Sequence, residues 1–132
     1  MFASAKAMMK YADRKVRFSL DGKPGEDVMV TTMAVANGKY FGGGMKVAPA
    51  ADVSDGEFDV TIWTGYTLMD FALKQGGLYS GEHINWKGTR TLKCKSITAE
   101  SAHEVLIDCD GEQPGKLPCK MTILPSAIRL RA

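Results

Sequence analysis

The chain is short of the features that would place it in a membrane, a disulfide scaffold or a zinc module. No apolar run approaches the roughly 18 residues that cross a bilayer as a helix. The opening residues Met1-Phe2-Ala3-Ser4-Ala5-Lys6 do not set a charged start before an apolar core, so they do not read as a secretory signal. There are 3 cysteines, Cys94, Cys109 and Cys119, an odd number with no CxxC spacing. That excludes a fully paired disulfide framework and argues against a zinc knuckle. Each lies in an apolar-alternating segment, so buried free thiols are expected, and a reducing, cytoplasmic setting suits them. Charge of one sign is also lacking: 17 Lys and Arg stand against 15 Asp and Glu, a net +2. So even a balance gives no electrostatic case for nucleic acid or an anionic membrane surface. No internal repeat, linker or low-complexity tract interrupts the chain.

What is present suits a packed β domain. At 132 residues the chain is one domain long, and 45% hydrophobic residues can supply a core. Residues 2–12 place Phe2, Ala5, Met8, Met9 and Ala12 at helical spacing, which predicts a short helix. Residues 14–20 alternate Val16, Phe18 and Leu20 against Lys15, Arg17 and Ser19, the pattern of a half-buried strand. Residues 27–37, rich in Val and Thr, predict one longer strand. Residues 57–63 put Phe58, Val60 and Ile62 on one face. A second helix is expected over 67–74, with an Asp70–Lys74 pair at i,i+4 and Gly76-Gly77 ending it. Strands are then expected over 91–99, 104–110, 117–124 and 128–131, with Pro118 marking an edge or a strand start. About seven short strands with frequent turns predict a mainly β fold, a β-sandwich with two short attached helices.

Four stretches carry side chains capable of chemistry. Gly42-Gly43-Gly44, inside residues 36–49, does not fit a phosphate-binding loop, because no helix-forming run follows it. Glycines serving positive φ or close approach are the expected reading. Residues 52–59 are acidic and turn-rich without the ligand ladder of an EF-hand. They read either as a plain Asp55-Gly56 turn or as a small oxygen-ligand site with Asp55 as side-chain ligand and turn carbonyls helping. His83, in the loop after Gly81, is expected to be a hydrogen-bonded structural residue. In residues 106–115, Asp108, Asp110 and Glu112 fall on alternate positions, which share a face in an extended chain. Asp110-Gly111 between apolar runs signals a hairpin. Crowded carboxylates would raise at least one pKa by mutual repulsion, making a better proton acceptor.

Taken in order, residues 35–49, the acidic turn 52–60, Gly81 with His83, Asp110-Gly111-Glu112 and Leu124-Pro125-Ser126-Ala127-Ile128 resemble the C-terminal half of the diacylglycerol kinase catalytic-domain family. That family includes bacterial soluble lipid kinases and the sphingosine and ceramide kinases. The resemblance runs from about residue 5 to 130. It implies a two-domain enzyme in which an upstream domain binds ATP through Gly-Gly-Asp-Gly-Thr, and a β-sandwich faces the same cleft. It implies Asp110 and Glu112 as candidates for the acceptor of the lipid hydroxyl's proton. It also implies a divalent ion, Mg²⁺, at the acidic turn, held by the Asp55 side chain and the backbone carbonyls of Asp52 and Glu57.

Gly-Gly-Asp-Gly-Thr occurs nowhere in these 132 residues. The expectation is therefore the lipid-facing, catalytic-carboxylate half of an ATP-dependent lipid kinase, inactive alone. Its ATP-binding domain would come from upstream or from another chain, and its lipid substrate would be met at a membrane surface by peripheral contact. The alternative is a non-catalytic β-sandwich that binds a lipid or a protein, with a homodimer through open strand edges as one form of it.

Overall fold

A computed structural model describes residues 13–128. The helix expected over 2–12 and most of the last expected strand lie outside them. The described chain forms nine strands: β1 (Arg14–Leu20), β2 (Glu26–Val30), β3 (Thr32–Ala36), β4 (Phe58–Trp63), β5 (Thr89–Cys94), β6 (Ser96–Glu100), β7 (Leu106–Cys109), β8 (Glu112–Lys116) and β9 (Cys119–Thr122). Two short helices, α1 (Leu68–Leu73) and α2 (Gln75–Ser80), and a 3-10 turn at Glu82–Asn85 lie between β4 and β5. All strand pairs are antiparallel. One sheet has the order β2-β1-β6-β9, a second β3-β4-β5, and β7-β8 stand as a separate hairpin.

The alternation in β1 produces what it predicts. Val16 and Phe18 are both 3% exposed and join Val30, Val60, Ile62, Cys94, Ile97 and Ala99 in one core cluster fed by both larger sheets. The sandwich interior is therefore the space between them, and β7–β8 contributes only partly buried Val105 and Leu117 at its base. A second cluster, with Val47, Ala48, Ala51, Trp63, Tyr66 and Leu78, covers the other face of the three-stranded sheet. That is why β4 is buried on both faces. Val60 and Ile62 point into the sandwich, while Asp59, Thr61 and Trp63 point the other way and are also buried.

Two expected strands are each divided. Residues 27–37 break at Thr31, and 91–99 break at Lys95, because the chain leaves one sheet for the other at both points. Each break exposes backbone groups that need partners. At the first, Thr31 N–H donates to the Trp63 carbonyl at 2.8 Å, and the Thr31 hydroxyl donates to Asp13 and accepts from Tyr66 N–H at 3.1 Å. At the second, Asp21 Oδ1 accepts the amides of Lys95 at 2.8 Å and Ser96 at 2.9 Å. Asp21 takes a left-handed φ of 53°, and Gly22 one of 72°, so the turn after β1 aims this carboxylate at the crossing.

The amides of Ser96 and Lys95 hold the Asp21 carboxyl below the usual carboxylate range, because they bond to its ionised form. A group depressed in this way stabilises the fold above its unfolded pKa of about 4. That contribution is lost as pH falls through the lower folded value. The Tm difference between wild type and Asp21→Ala is therefore expected to be full at pH 7 and to shrink below about pH 4. Thermal melts of both proteins across that range check it.

The helical region also departs from expectation in instructive ways. Asp70 does not pair with Lys74. Its carboxylate turns back to accept from Thr67 N–H at 2.7 Å and the Thr67 hydroxyl at 2.8 Å, a capping box that starts α1. The Lys74 ammonium instead lies over the rings of Tyr66 and Trp86, 5.4 and 5.2 Å from their centroids. Gly76 and Gly77 sit inside α2 rather than ending α1. Gly77 is needed there because a Cβ would stand 2.5 Å from the Trp86 ring.

Candidate functional site

The carboxylate turn is built by β7 and β8. Leu106 pairs with Lys116 and Ile107 with Gly115, then a bulge shifts the register so that Cys109 opposes Glu112. Asp110 (φ 51°) and Gly111 (φ 87°) make the two-residue loop, and two positive φ values are what a hairpin twisted like its strands requires. Asp108 Oδ1 accepts Gly111 N–H at 2.9 Å, tying the loop closed. Pro114-Gly115 lies within β8.

This geometry separates the three carboxylates by role. The alternate-residue argument stops at Asp110, where the backbone leaves the extended region. Asp108 belongs to the turn's own hydrogen bonding. Asp110 stands at the tip, and Glu112 opens the returning strand. Both are exposed, and neither enters a side-chain hydrogen bond or ion pair among the described residues. Leu117 N–H donates to the Val105 carbonyl at 2.9 Å, closing the hairpin base against the core. The hairpin thus carries Asp110 and Glu112 out from the sandwich edge on a defined stalk. An open cleft of about 510 Å³ over the four-stranded sheet, lined by Arg17, Thr98, Glu100, Pro118 and Lys120 among others, does not include them.

The acidic turn is a separate feature at the start of β4. Asp52 folds its carboxylate inward, accepting from Ser54 N–H at 2.8 Å and Ser54 Oγ at 2.6 Å. The Ser54 hydroxyl and amide hold its carboxyl below the usual range. The Asp52 carbonyl accepts Asp55 N–H at 3.3 Å. Asp55 Oδ1 accepts Glu57 N–H at 2.9 Å, and Oδ2 faces the Lys93 ammonium at 3.4 Å. Lys93 also lies 3.1 Å from Asp59, its cross-strand partner in β4–β5. Among the described residues no three His, Cys, Asp or Glu side chains converge as a metal site. With a cation already against the one carboxylate expected as ligand, the arrangement does not fit a divalent ion, and no chemistry is routed through one.

The glycine-rich loop and His83 serve the second core cluster. Phe41 and Met45 exchange both backbone hydrogen bonds at 3.0 Å around Gly42-Gly43-Gly44, whose φ values are all positive. Lys46 N–H donates to the Leu78 carbonyl at 2.8 Å, and the buried Thr61 hydroxyl donates to the Val47 carbonyl at 3.0 Å. His83, fully buried, donates from Nε2 to the Lys46 carbonyl at 2.8 Å. Its ring packs on Trp63 with centroids 5.3 Å apart. It lies in the 3-10 turn rather than a loop, and its role is structural, as its isolation in sequence suggested. Of the cysteines, Cys94 is buried and its thiol is pushed up to about 11 by burial. Cys119 is half-buried, and Cys109 is exposed, contrary to expectation, because the hairpin strand carrying it stands apart from the two larger sheets and only its Ile107 is partly covered. Among the described residues no helix is long and apolar enough to cross a membrane.

The described residues thus form a two-sheet sandwich with a separate hairpin whose turn carries the exposed Asp110 and Glu112. Over residues 1–132 the chain matches the YegS C-terminal NAD kinase beta sandwich-like domain, and it belongs to that family. It is similar to the diacylglycerol kinase of Bacillus subtilis (strain 168), 29% identical over 105 residues, covering 79% of this chain and 34% of the relative. It is similar to the diacylglycerol kinase of Mycobacterium tuberculosis (strain H37Rv), 25% identical over 114 residues, covering 86% of this chain and 37% of the relative. A crystal structure of a diacylglycerol kinase from Bacillus anthracis str. Sterne shares the fold, with a TM-score of 0.69 at 24% identity over 94% of this chain and 42% of that one. The chain therefore spans about a third of the length of these curated relatives.

Proposed function

We propose that this chain is the lipid-facing half of an ATP-dependent lipid kinase, and that Asp110 or Glu112 accepts the proton of the attacking lipid hydroxyl. The observation that carries the reading is the hairpin. It holds two exposed carboxylates, free of partners among the described residues, at a tight turn fixed by Asp108, in a chain homologous to diacylglycerol kinases.

In the reaction, the lipid oxygen forms a bond to the γ-phosphorus of ATP, the bond from that phosphorus to the β–γ bridging oxygen breaks, and the hydroxyl proton passes to the carboxylate. The transition state of such transfers is loose, so positioning and charge stabilisation dominate and proton removal comes late. A carboxylate about 3 Å from the hydroxyl orients it and takes its proton. The phosphate-holding groups belong to an ATP-binding domain, which is the required protein partner. The lipid is presented at a membrane surface.

A chimera tests this directly. Residues 1–132 replace the matching segment of the Bacillus subtilis diacylglycerol kinase, and ATP-dependent phosphorylation of diacylglycerol is measured. Turnover by the chimera and none by the 132-residue chain alone is the expected result. A folded chimera with no activity toward diacylglycerol or another lipid alcohol overturns the assignment, and turnover by the chain alone overturns its dependence on the ATP-binding domain.

A further inference from the structure

The acidic turn holds more negative charge than a plain Asp-Gly turn needs. Asp52, Asp55 and Glu57 fall within six residues, and Asp59 follows on β4. Asp59 is 8% exposed, and a carboxylate that far out of water requires a counter-charge. Among the described residues, the side chain that reaches both the turn and the strand is Lys93 of β5. Its Nζ lies 3.1 Å from Asp59 Oδ2 and 3.4 Å from Asp55 Oδ2. Asp59 and Lys93 are direct cross-strand partners, so the lysine's position is set by sheet register rather than by a chance surface encounter. Asp55 is held in place independently, through the amide of Glu57 at 2.9 Å.

From this geometry we infer that the Lys93 ammonium is the resident cation of the acidic turn, doing there what a divalent ion would do in a site of the same outline. One positive group bridges Asp55 in the loop to Asp59 in the sheet and so fixes residues 52–57 against β4 and β5. A dication approaching Asp55 Oδ2 meets a like charge 3.4 Å from its ligand atom, which disfavours binding. The turn of this chain is consequently metal-independent. The hydrogen bond to Asp59, with a smaller contribution from Asp55, holds the Lys93 ammonium above its usual pKa, so the bridge persists throughout the neutral range.

The test uses the purified 132-residue chain, with Tm measured in EDTA and in about 10 mM MgCl₂ at matched ionic strength. The wild type is expected to melt within about 1 °C in the two buffers. Lys93→Met is expected to lose roughly 5 °C or more in EDTA, from the uncompensated Asp59. It should also regain part of that loss in MgCl₂, because the vacated position now accepts the ion. Lys93→Arg, which keeps the charge, should stay insensitive to Mg²⁺. A wild type stabilised by several degrees in MgCl₂ overturns the inference, as does a Lys93→Met variant that melts like wild type or that loses stability with no recovery in Mg²⁺. Should Lys93→Met fail to fold, calorimetric titration of the wild type with MgCl₂ decides: binding below about 1 mM overturns the inference, and no heat of binding supports it.

Discussion

Asp110→Asn, placed in an active chimera, is expected to lower kcat by about 10²–10⁴-fold if Asp110 is the proton acceptor, the range that a positioned general base supplies. The substitution is suited to the site. Asp110 has a φ of 51° and is followed by Gly111 at 87°. Asparagine tolerates the left-handed region as well as aspartate does, and Asn-Gly is a preferred pair for a two-residue hairpin loop. The turn, the Asp108–Gly111 bond and the strand register should all survive, so Tm should move by no more than about 0.5 kcal/mol equivalent. Glu112→Gln is the paired experiment, at the first residue of β8 opposite Cys109. A fall in kcat with KM retained, in one variant and not the other, assigns the base. Full activity in both removes the proposed role, and the hairpin would then be a scaffold element only. Asp108→Asn serves as a control with a different signature: its side chain bonds the turn amide, so any effect should appear in stability as well as in rate.

How far the sequence discloses the structure depends on where each residue's partners lie. β1 is legible to the residue because its alternation is local, and Val16 and Phe18 are buried as that pattern demands. The Asp110-Gly111 turn is legible for the same reason. The breaks at Thr31 and Lys95 are not. A run of Val and Thr reads as one strand until Asp13, 18 residues away, and Asp21, 74 residues away, provide for the backbone where the chain changes sheets. β8 is missed because Glu-Gln-Pro-Gly-Lys has no apolar alternation, and none is needed in a strand exposed along its whole length. The extended-chain alternation expected of Asp108, Asp110 and Glu112 is interrupted by the left-handed Asp110 and Gly111. The meaning of Lys93 is invisible in sequence because its carboxylates lie 34 and 38 positions earlier. The resemblance carried by the glycine loop, the acidic turn and Asp110-Gly111-Glu112 survives these errors, since it depends on order and residue type rather than on strand boundaries.

The largest stability effect is expected at Ile62. It is 1% exposed, sits on the central strand of its sheet, and projects into the cluster where both sheets meet. Its flanking pairs, Met33 on β3 and Arg90 on β5, fix the backbone on both sides, so the strand cannot shift to fill a void. Nor can β4 move outward, because Thr61 and Trp63 are held on the opposite face, Thr61 by its bond to the Val47 carbonyl. A site that cannot collapse shows the full cost of a cavity. Ile62→Ala should therefore fall toward the upper part of the range for such truncations, about 2–5 kcal/mol. For a chain of this size that lowers Tm by roughly 10–20 °C, a large share of the roughly 5–15 kcal/mol by which domains are stable. Ile62→Val, removing one methylene, should cost about 0.5–1.5 kcal/mol. Met69→Ala, at a position 65% exposed on α1, should change stability by less than about 0.5 kcal/mol. Urea unfolding of the three variants measures this series, and a loss under about 1 kcal/mol for Ile62→Ala would mean that the two sheets close over the void, against the two-sided clamping of β4.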